Sequence, residues 1–358
     1  KKKFDLTFPI FLEKSLHKIS TYLSFESFKA IFNFFQLNIF ISLNSLNKIY
    51  FRDKKLIQLF NRFATYNGSS PYMTSGIMSI IQHLEHDLGV FMPKKGISDI
   101  SYSLHRLAID LGIKFYLNSE IEKILIKDKS AVGVVVNKIN HKADIIISNM
   151  DVSLTYDKLL VGYKKPFFIQ NYQPSSSAVV FYWNINKSFP NLNVHNIIFS
   201  KNQEDEFDYI FNKKLIYNDP TVYICSTSKI VEEDAPAGCE NWFILINSPF
   251  DNGQDWEKIK KDLRKNIIKK INSTLKVDIE SNIVGEKILT PVDIESETLS
   301  KFGSLYGSSS NSLKSAFVRH PNFSKNINNL YFCGGSVHPG GGIPLCLNSA
   351  KIVSDLIK

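Results

Sequence analysis

The chain has 358 residues, 44% of them hydrophobic and 22% charged, with a formal net charge of +9. That balance excludes a disordered or fibrous chain and leaves material for two domains or one large two-lobed one. The lysines are spread along the sequence without zinc-finger spacing or an RNA-recognition signature, so nucleic acid is not the expected partner. Four cysteines, Cys225, Cys239, Cys333 and Cys346, form no Cys-x-x-Cys pair, the pattern of a reduced cytosolic protein.

Residues 4–50 are helical in pattern and rich in aromatic side chains. Residues 30–47 carry no charge, but Asn, Gln and Ser interrupt them too often for a spanning helix. Two readings stay open there: an element that dips into a membrane or forms a tunnel mouth, or a helix pair packed on its own domain. An amphipathic helix follows over 53–65, with Leu56, Leu59, Phe60 and Phe63 on one face. Residues 68–71 break it, and 74–88 form the next helix. His83 and His86 share a face of that helix, but a metal site needs three or four ligands, so none is expected.

From Phe91 the texture changes. Ser98 is a candidate N-cap, and Ile100, Leu104, Leu107, Ala108 and Leu111 line a helix that Gly112 closes. Short strand-like runs follow at 114–117, 121–126, 132–137 and 143–148, and those over 121–148 read as a small hairpin sheet. Asp151 can cap the next helix. Residues 151–300 alternate helices with aromatic strands at 178–183, 196–199, 221–226 and 242–248, read as a mixed sheet with helices on one face. Trp256, Ile259, Leu263, Ile267 and Ile271 form one helix stripe, and the opposite, lysine-rich face is solvated or attracted to anionic lipid.

The most informative stretch is the last. An apolar run, 330–333, is short enough for a buried strand and runs into Gly334 and Gly335. A second cluster, Gly340-Gly341-Gly342, leads through Ile343 to Pro344, which suits a first helical turn, and an apolar-periodic helix runs over 345–357. A strand, a side-chain-poor loop and a helix N-terminus make a place where free N–H groups meet an electron-rich ligand.

This stretch resembles the C-terminal signature of the bacterial phytoene desaturase family, the FAD-dependent carotenoid desaturases, where a strand ends in Gly-x-Gly-Thr-His-Pro-Gly-x-Gly-Ile-Pro. His338, Pro339, Gly340, Gly342, Ile343 and Pro344 match position by position. Gly335 and Ser336 stand where many other two-domain flavoproteins carry an acidic residue, which favours this family over amine oxidases. Residues 66–72, 89–96, 147–151, 304–307 and 319–324 resemble further family motifs in the same order. Residues 61–72 and 240–247 look more like the hydroxycarotenoid 3,4-desaturase branch.

The resemblance implies an α/β (α+β) two-lobed FAD-dependent oxidoreductase fold. An FAD/NAD(P)-binding domain would be interleaved with a mixed-sheet substrate domain. The expected division is 1–90, a helical part of the substrate or membrane domain; 91–150, an FAD-domain segment; 151–317, the substrate domain; and 318–358, the C-terminal FAD-domain segment. No Gly-x-Gly-x-x-Gly occurs anywhere, so the chain reads as lacking its N-terminal Rossmann unit and, by itself, as inactive.

The resemblance further implies FAD as cofactor, with Gly334, Gly335, Ser336, Gly340, Gly341, Gly342, Ile343, Pro344 and Leu345 bordering it. It implies a long apolar polyene as substrate and peripheral attachment at the cytoplasmic side of the bacterial membrane. Homo-oligomerisation stays open. Two rival readings are an amine-oxidase-like flavoprotein and a truncated, non-catalytic remnant. For the proton that must leave the substrate, Glu26 and Lys29 stand nearest to the family's acid–arginine segment, although spacing and identities depart from it. His338, beside the glycine loop, is read either as orienting or protonating near the flavin or as tying the loop by hydrogen bonding.

Overall fold

The structure is a computed structural model; it describes residues 1–170, 172–312, 315 and 319–358, apart from the side chains of Ile31, Phe34, Phe35 and Phe168. Ten strands are present among these residues. They are β1 (Ile121–Lys127), β2 (Ser130–Val136), β3 (Ile139–Lys142), β4 (Ile146–Ser148) and β5 (Ser177–Ile185). The remainder are β6 (His195–Ile198), β7 (Val222–Cys225), β8 (Glu240–Ser248), β9 (Ile283–Leu289) and β10 (Leu330–Phe332). The chain forms two compact units, one of Lys1–Leu88, Asn118–Ser176 and Ile294–Lys358, the other of Gly89–Leu117 and Ser177–Asp293. The units are interleaved in sequence, but their bounds differ from those expected at 90 and 150. The expected bound at 317 lies outside the described residues.

The second unit is built on a five-stranded sheet in the order β6-β7-β8-β5-β9. Expected to be mixed, it is antiparallel throughout. The physical reason lies in β8, where buried and half-buried residues alternate along all nine positions, as in a sheet with one face on a core. Phe181 pairs with Ile244 and Trp183 with Trp242, all buried. The helix Trp256–Leu275 lays Trp256, Leu263, Ile267 and Ile271 on the same core. Its polar face is tied down within the unit: Arg264 pairs with Glu280 and Glu286, and Lys270 with Asp219. β9, missed in the sequence, carries Gly285, Glu286 and Lys287 in the middle of its run, which masks its apolar alternation. The helix Ser98–Asp110 forms as expected, but Ile97, not Ser98, precedes it, and no side chain caps it. Residues 114–117 form no strand.

In the first unit, β1 and β2 form the hairpin expected from the runs at 121–126 and 132–137, but its third strand is β3, at 139–142, and the run at 143–148 supplies β4 instead. β4 pairs in parallel with β10, Ile146 opposite Leu330 and Ser148 opposite Phe332. Residues almost two hundred positions apart thereby share one small core, with Ile124, Val152, Tyr156, Leu330 and Phe332 buried in it. The uncharged segment 30–47 packs on its own unit: Leu37, Ile39, Leu43 and Leu46 are all buried. Asn61 bridges Asn47 and Asn44 beneath it, both bonds 2.9 Å. Exposed apolar side chains lie both before it, with Ile19 and Phe25 80% exposed, and within it, with Phe32 85% and Phe40 68%. No helix among the described residues is long and apolar enough to cross a membrane.

Ile267 is fully buried between its helix and the sheet. Ile267→Ala is expected to cost about 2–5 kcal/mol of unfolding free energy, read by urea denaturation of the purified protein.

Candidate functional site

The glycine loop grows directly from β10. Leu330 and Phe332 are buried, and the Cys333 N–H continues the pairing by donating to the Ser148 carbonyl at 3.0 Å. Gly334 has φ +107, and a Cβ there would meet the Asn149 side chain at 2.7 Å, so only glycine fits. The Gly334 N–H donates to Ser349 Oγ, and Ser336 Oγ accepts from the Val152 N–H. Asn322, fully buried, places its amide nitrogen within 3.3 Å of the Phe332 and His338 carbonyls and of Ser349 Oγ. The strand, the loop and the helix Ile343–Ile357 are thus laced together from one side chain.

Arg319 does the same on the other side. Its Nη1 donates to the Tyr306 carbonyl at 2.9 Å and the Gly335 carbonyl at 3.3 Å, and its Nη2 to the Ser308 carbonyl at 2.9 Å. The residue is 5% exposed and forms no ion pair among the described residues. Burial lowers its pKa to about 10, which still leaves it charged at neutral pH. Gly340 lies against this guanidinium, where a Cβ would stand 3.2 Å from Nε.

Gly342 precedes the helix Ile343–Ile357 with φ +104, no side chain caps that helix, and a Cβ on Gly342 would meet nothing within 4 Å. Gly335 and Gly341 approach closely, a Cβ on the former reaching Gly341 Cα at 3.2 Å. Open space at an uncapped helix N-terminus, bordered by glycines, suits an electron-rich group, with the N–H groups of Ile343 and Leu345 facing the first turn and Pro344 having none to lose. The expected cofactor-binding residues Gly334, Gly335, Ser336, Gly340, Gly341, Gly342, Ile343, Pro344 and Leu345 share one loop and helix start, where Gly334, Gly335, Gly340 and Gly341 pack against protein atoms and the open space at Gly342 is the part that suits a flavin. Beside the loop lies a cavity of about 310 Å³, whose walls include Asp151, Tyr172, Gln173, Ser308, Arg319 and Ser336. Asp151 caps its helix through Oδ1, which accepts from the Ser153 and Leu154 N–H groups. Burial pushes its pKa up.

The candidate acid–base residues are not gathered there. Glu26 and Lys29 lie on the exposed face of the helix Phe25–Phe32, and Glu26 pairs with Lys14 at 3.3 Å. His338 is 4% exposed, and its Nε2 donates to the Lys14 carbonyl at 3.0 Å, so the imidazole ties the loop to the N-terminal segment. His83 pairs with Asp87, and among the described residues no three His, Cys, Asp or Glu side chains gather as a metal ion needs. Arg319, Asn322, Tyr172 and Gln173 had no role in the sequence reading. The stretch 319–324 stood out there only as a family-like run.

A family model described as "Flavin containing amine oxidoreductase" matches residues 2–358. The 1-hydroxycarotenoid 3,4-desaturase of Flavobacterium sp. (strain P99-3) is 52% identical over 357 residues, which cover 100% of this chain and 73% of that protein. The 4,4'-diapolycopene oxygenase of Methylomonas sp is 32% identical, over 89% of this chain and 65% of its own length. The 4,4'-diaponeurosporene oxygenase of Staphylococcus haemolyticus is 31% identical, over 86% and 62%. Among solved structures, an oxidoreductase from Methanosarcina mazei superposes with a TM-score of 0.61 at 15% identity, over 94% of this chain and 74% of its own. A putrescine oxidase variant gives 0.60 at 12%, over 99% and 72%. At such identities the likeness is one of fold alone, two-domain and α/β.

The buried histidines give the site a pH signature. Burial holds the pKa of His320 and of His338 down at about 4. Cationic neighbours, His17 and Lys325 at the first and His17 and Arg319 at the second, push the same way, against the carbonyls that accept from each ring. In the unfolded chain both titrate near 6.5, so the unfolded state takes up these protons first as pH falls. The stability is fully present above about pH 6.5 and drains away toward pH 4, by at most roughly 1.4 kcal/mol per pH unit per histidine. Urea unfolding at pH 7 and pH 5 should show the loss, and His338→Gln should flatten the slope by about one proton.

Proposed function

The chain belongs to the flavin-containing amine oxidoreductase family, and we propose that within it the protein is an FAD-dependent carotenoid desaturase acting on a hydroxylated polyene. The observation that carries this is 52% identity to a 1-hydroxycarotenoid 3,4-desaturase along the whole chain. FAD supplies the chemistry, accepting a hydride from the substrate. The protein's part is to hold, orient and exclude. Gly342, where a Cβ would meet nothing within 4 Å, and the first N–H groups of the helix Ile343–Ile357 would hold the electron-rich part of the flavin, while Gly335 and Gly341 let the loop close on itself and on Tyr306.

Removing two hydrogens from adjacent carbons also releases a proton. Asp151 is the carboxylate on the cavity wall, and its Oδ2 makes no hydrogen bond among the described residues. Burial makes this carboxylate a stronger base than an exposed one. It is the acceptor in this reading, in place of Glu26 and Lys29. An almost purely apolar substrate is held by burial, at roughly 25 cal/mol per Å².

Such a substrate resides in lipid, and the first unit carries a surface suited to reach it. Ile19, Leu23, Phe25, Phe28 and Phe32 stand exposed over a short span, with the exposed Lys18 just before it and Lys29 within it. Apolar side chains with basic neighbours favour peripheral attachment to an anionic bilayer, on the cytoplasmic side in this reading.

The full-length protein, loaded with FAD and given an acyclic hydroxylated carotene in detergent, should shift the carotene's absorption to the red as one double bond joins the polyene. An unchanged polyene spectrum from folded, flavin-loaded protein that oxidises an amine instead would overturn the proposal. Gly335→Val should abolish flavin binding, because its side chain enters a gap already only 3.2 Å from Gly341 Cα at the Cβ. Retained flavin absorbance in that variant would remove the loop from the site.

A further inference from the structure

We propose that the cavity beside the glycine loop is a subsite for the alcohol group of the substrate, with the Tyr172 hydroxyl and the Gln173 side-chain amide as its hydrogen-bond partners. This rests on the reading of the protein as a desaturase of a hydroxylated polyene and assigns the residues that recognise the hydroxyl.

Most polar groups on the cavity wall are already engaged. The Arg319 guanidinium serves the carbonyls of Tyr306, Ser308 and Gly335. Ser336 Oγ accepts from the Val152 N–H, and Ser153 Oγ accepts from Lys165 and Lys301. His320 Nδ1 donates to the Pro321 carbonyl. Two groups differ. The Tyr172 hydroxyl has no hydrogen-bond partner among the described residues, although the side chain is largely buried and its pKa is pushed up by that burial. Gln173 uses its Oε1 to accept from Ser309 Oγ at 3.3 Å and Asn311 Nδ2 at 3.4 Å, and its NH₂ has no partner among the described residues.

Polar groups on a cavity wall that have no protein partner are left to water, and a ligand that displaces that water must satisfy them in its place. Phe167 and Ile169 line the same cavity. The matching ligand end is therefore an apolar chain bearing one polar atom that can both donate and accept. An alcohol does this: its oxygen accepts from the Gln173 NH₂, and its proton goes to the Tyr172 oxygen. A hydrocarbon end would leave both groups unpaired, which is how such sites discriminate.

The placement agrees with the chemistry. In a 1-hydroxy substrate desaturated at the 3,4 position, a single carbon separates the carbinol carbon from the new double bond. The hydroxyl subsite must then adjoin the loop that holds the flavin. Gly307 and Ser336, the latter in the glycine loop, share the cavity wall with Tyr172 and Gln173.

The test compares the FAD-loaded wild type with Tyr172→Phe and Gln173→Leu. Each is assayed on a 1-hydroxylated acyclic carotene and on the same carotene without the hydroxyl, and flavin affinity is measured by fluorescence titration. The ratio of kcat/KM for the hydroxylated over the parent carotene should fall about tenfold in each variant, with flavin affinity unchanged. An unaltered ratio overturns the subsite. So does weakened flavin binding at an unaltered ratio, which would give the two groups to the cofactor. Should a variant fail to fold, the O-methyl ether of the hydroxylated carotene decides with the wild type: a raised KM supports the subsite, and an unchanged KM overturns it. Wild-type protein that converts neither carotene contradicts the desaturase reading itself. Wild-type protein that converts both equally well contradicts only the subsite.

Discussion

One buried cation organises the candidate site. The Arg319 guanidinium donates to carbonyls at 306, 308 and 335, which belong to two separate loops, and it has no carboxylate partner among the described residues. A buried charge without a counter-ion is expensive, and three oriented backbone dipoles offset part of that expense. Charge-assisted bonds of this kind are among the stronger ones available to a protein. They fix the distance between the 306–308 turn and the glycine loop, where Gly340 has no side chain to obstruct the guanidinium and Gly341 none to obstruct Tyr306. Glycine here is required by close approach, and the close approach is set by arginine.

Around that knot the remaining features follow. β10 can end in a bare loop because Asn322 and Ser349 take up the polar groups at its end. The helix Ile343–Ile357 starts without a side-chain cap, which leaves its first N–H groups free for the proposed ligand. His338 closes the other end of the loop onto the Lys14 carbonyl as a buried, neutral imidazole. The loop is thereby preorganised from three sides, beside the cavity walled by Tyr172 and Gln173 that is proposed to take a substrate's polar end. Family membership and this geometry agree on flavin, and the geometry adds where an alcohol can be held.

The parts of this fold that could be read from sequence are those encoded locally. The glycine clusters, Pro344 and the apolar periodicity after it announce a strand, loop and helix. The aromatic, β-branched runs at 178–183 and 242–248 announce strands of one sheet, though not its antiparallel order. What could not be read depends on long-range neighbours. Absence of charge over 30–47 does not distinguish a lipid-facing helix from a buried one, and Leu37, Leu43 and Leu46 turn inward. Glu26 and Lys29 were suggested by similarity to a motif, but the fold leaves them on an exposed helix face. Arg319 was visible as a letter in a family-like run, yet its function depends on residues 306, 308 and 335, which only the fold brings to it. Tyr172 and Gln173 carried no pattern at all, because a hydrogen bond left unmade has no signature in sequence.

The most direct test is native-state hydrogen exchange over residues 333–342 and 305–308, in the wild type and in Arg319→Met. If the guanidinium sets the loop, amide exchange in both stretches should quicken by orders of magnitude in the variant, while β5 and β8 keep their protection. Unchanged exchange in both stretches, in a variant that has demonstrably lost the arginine, would contradict the account.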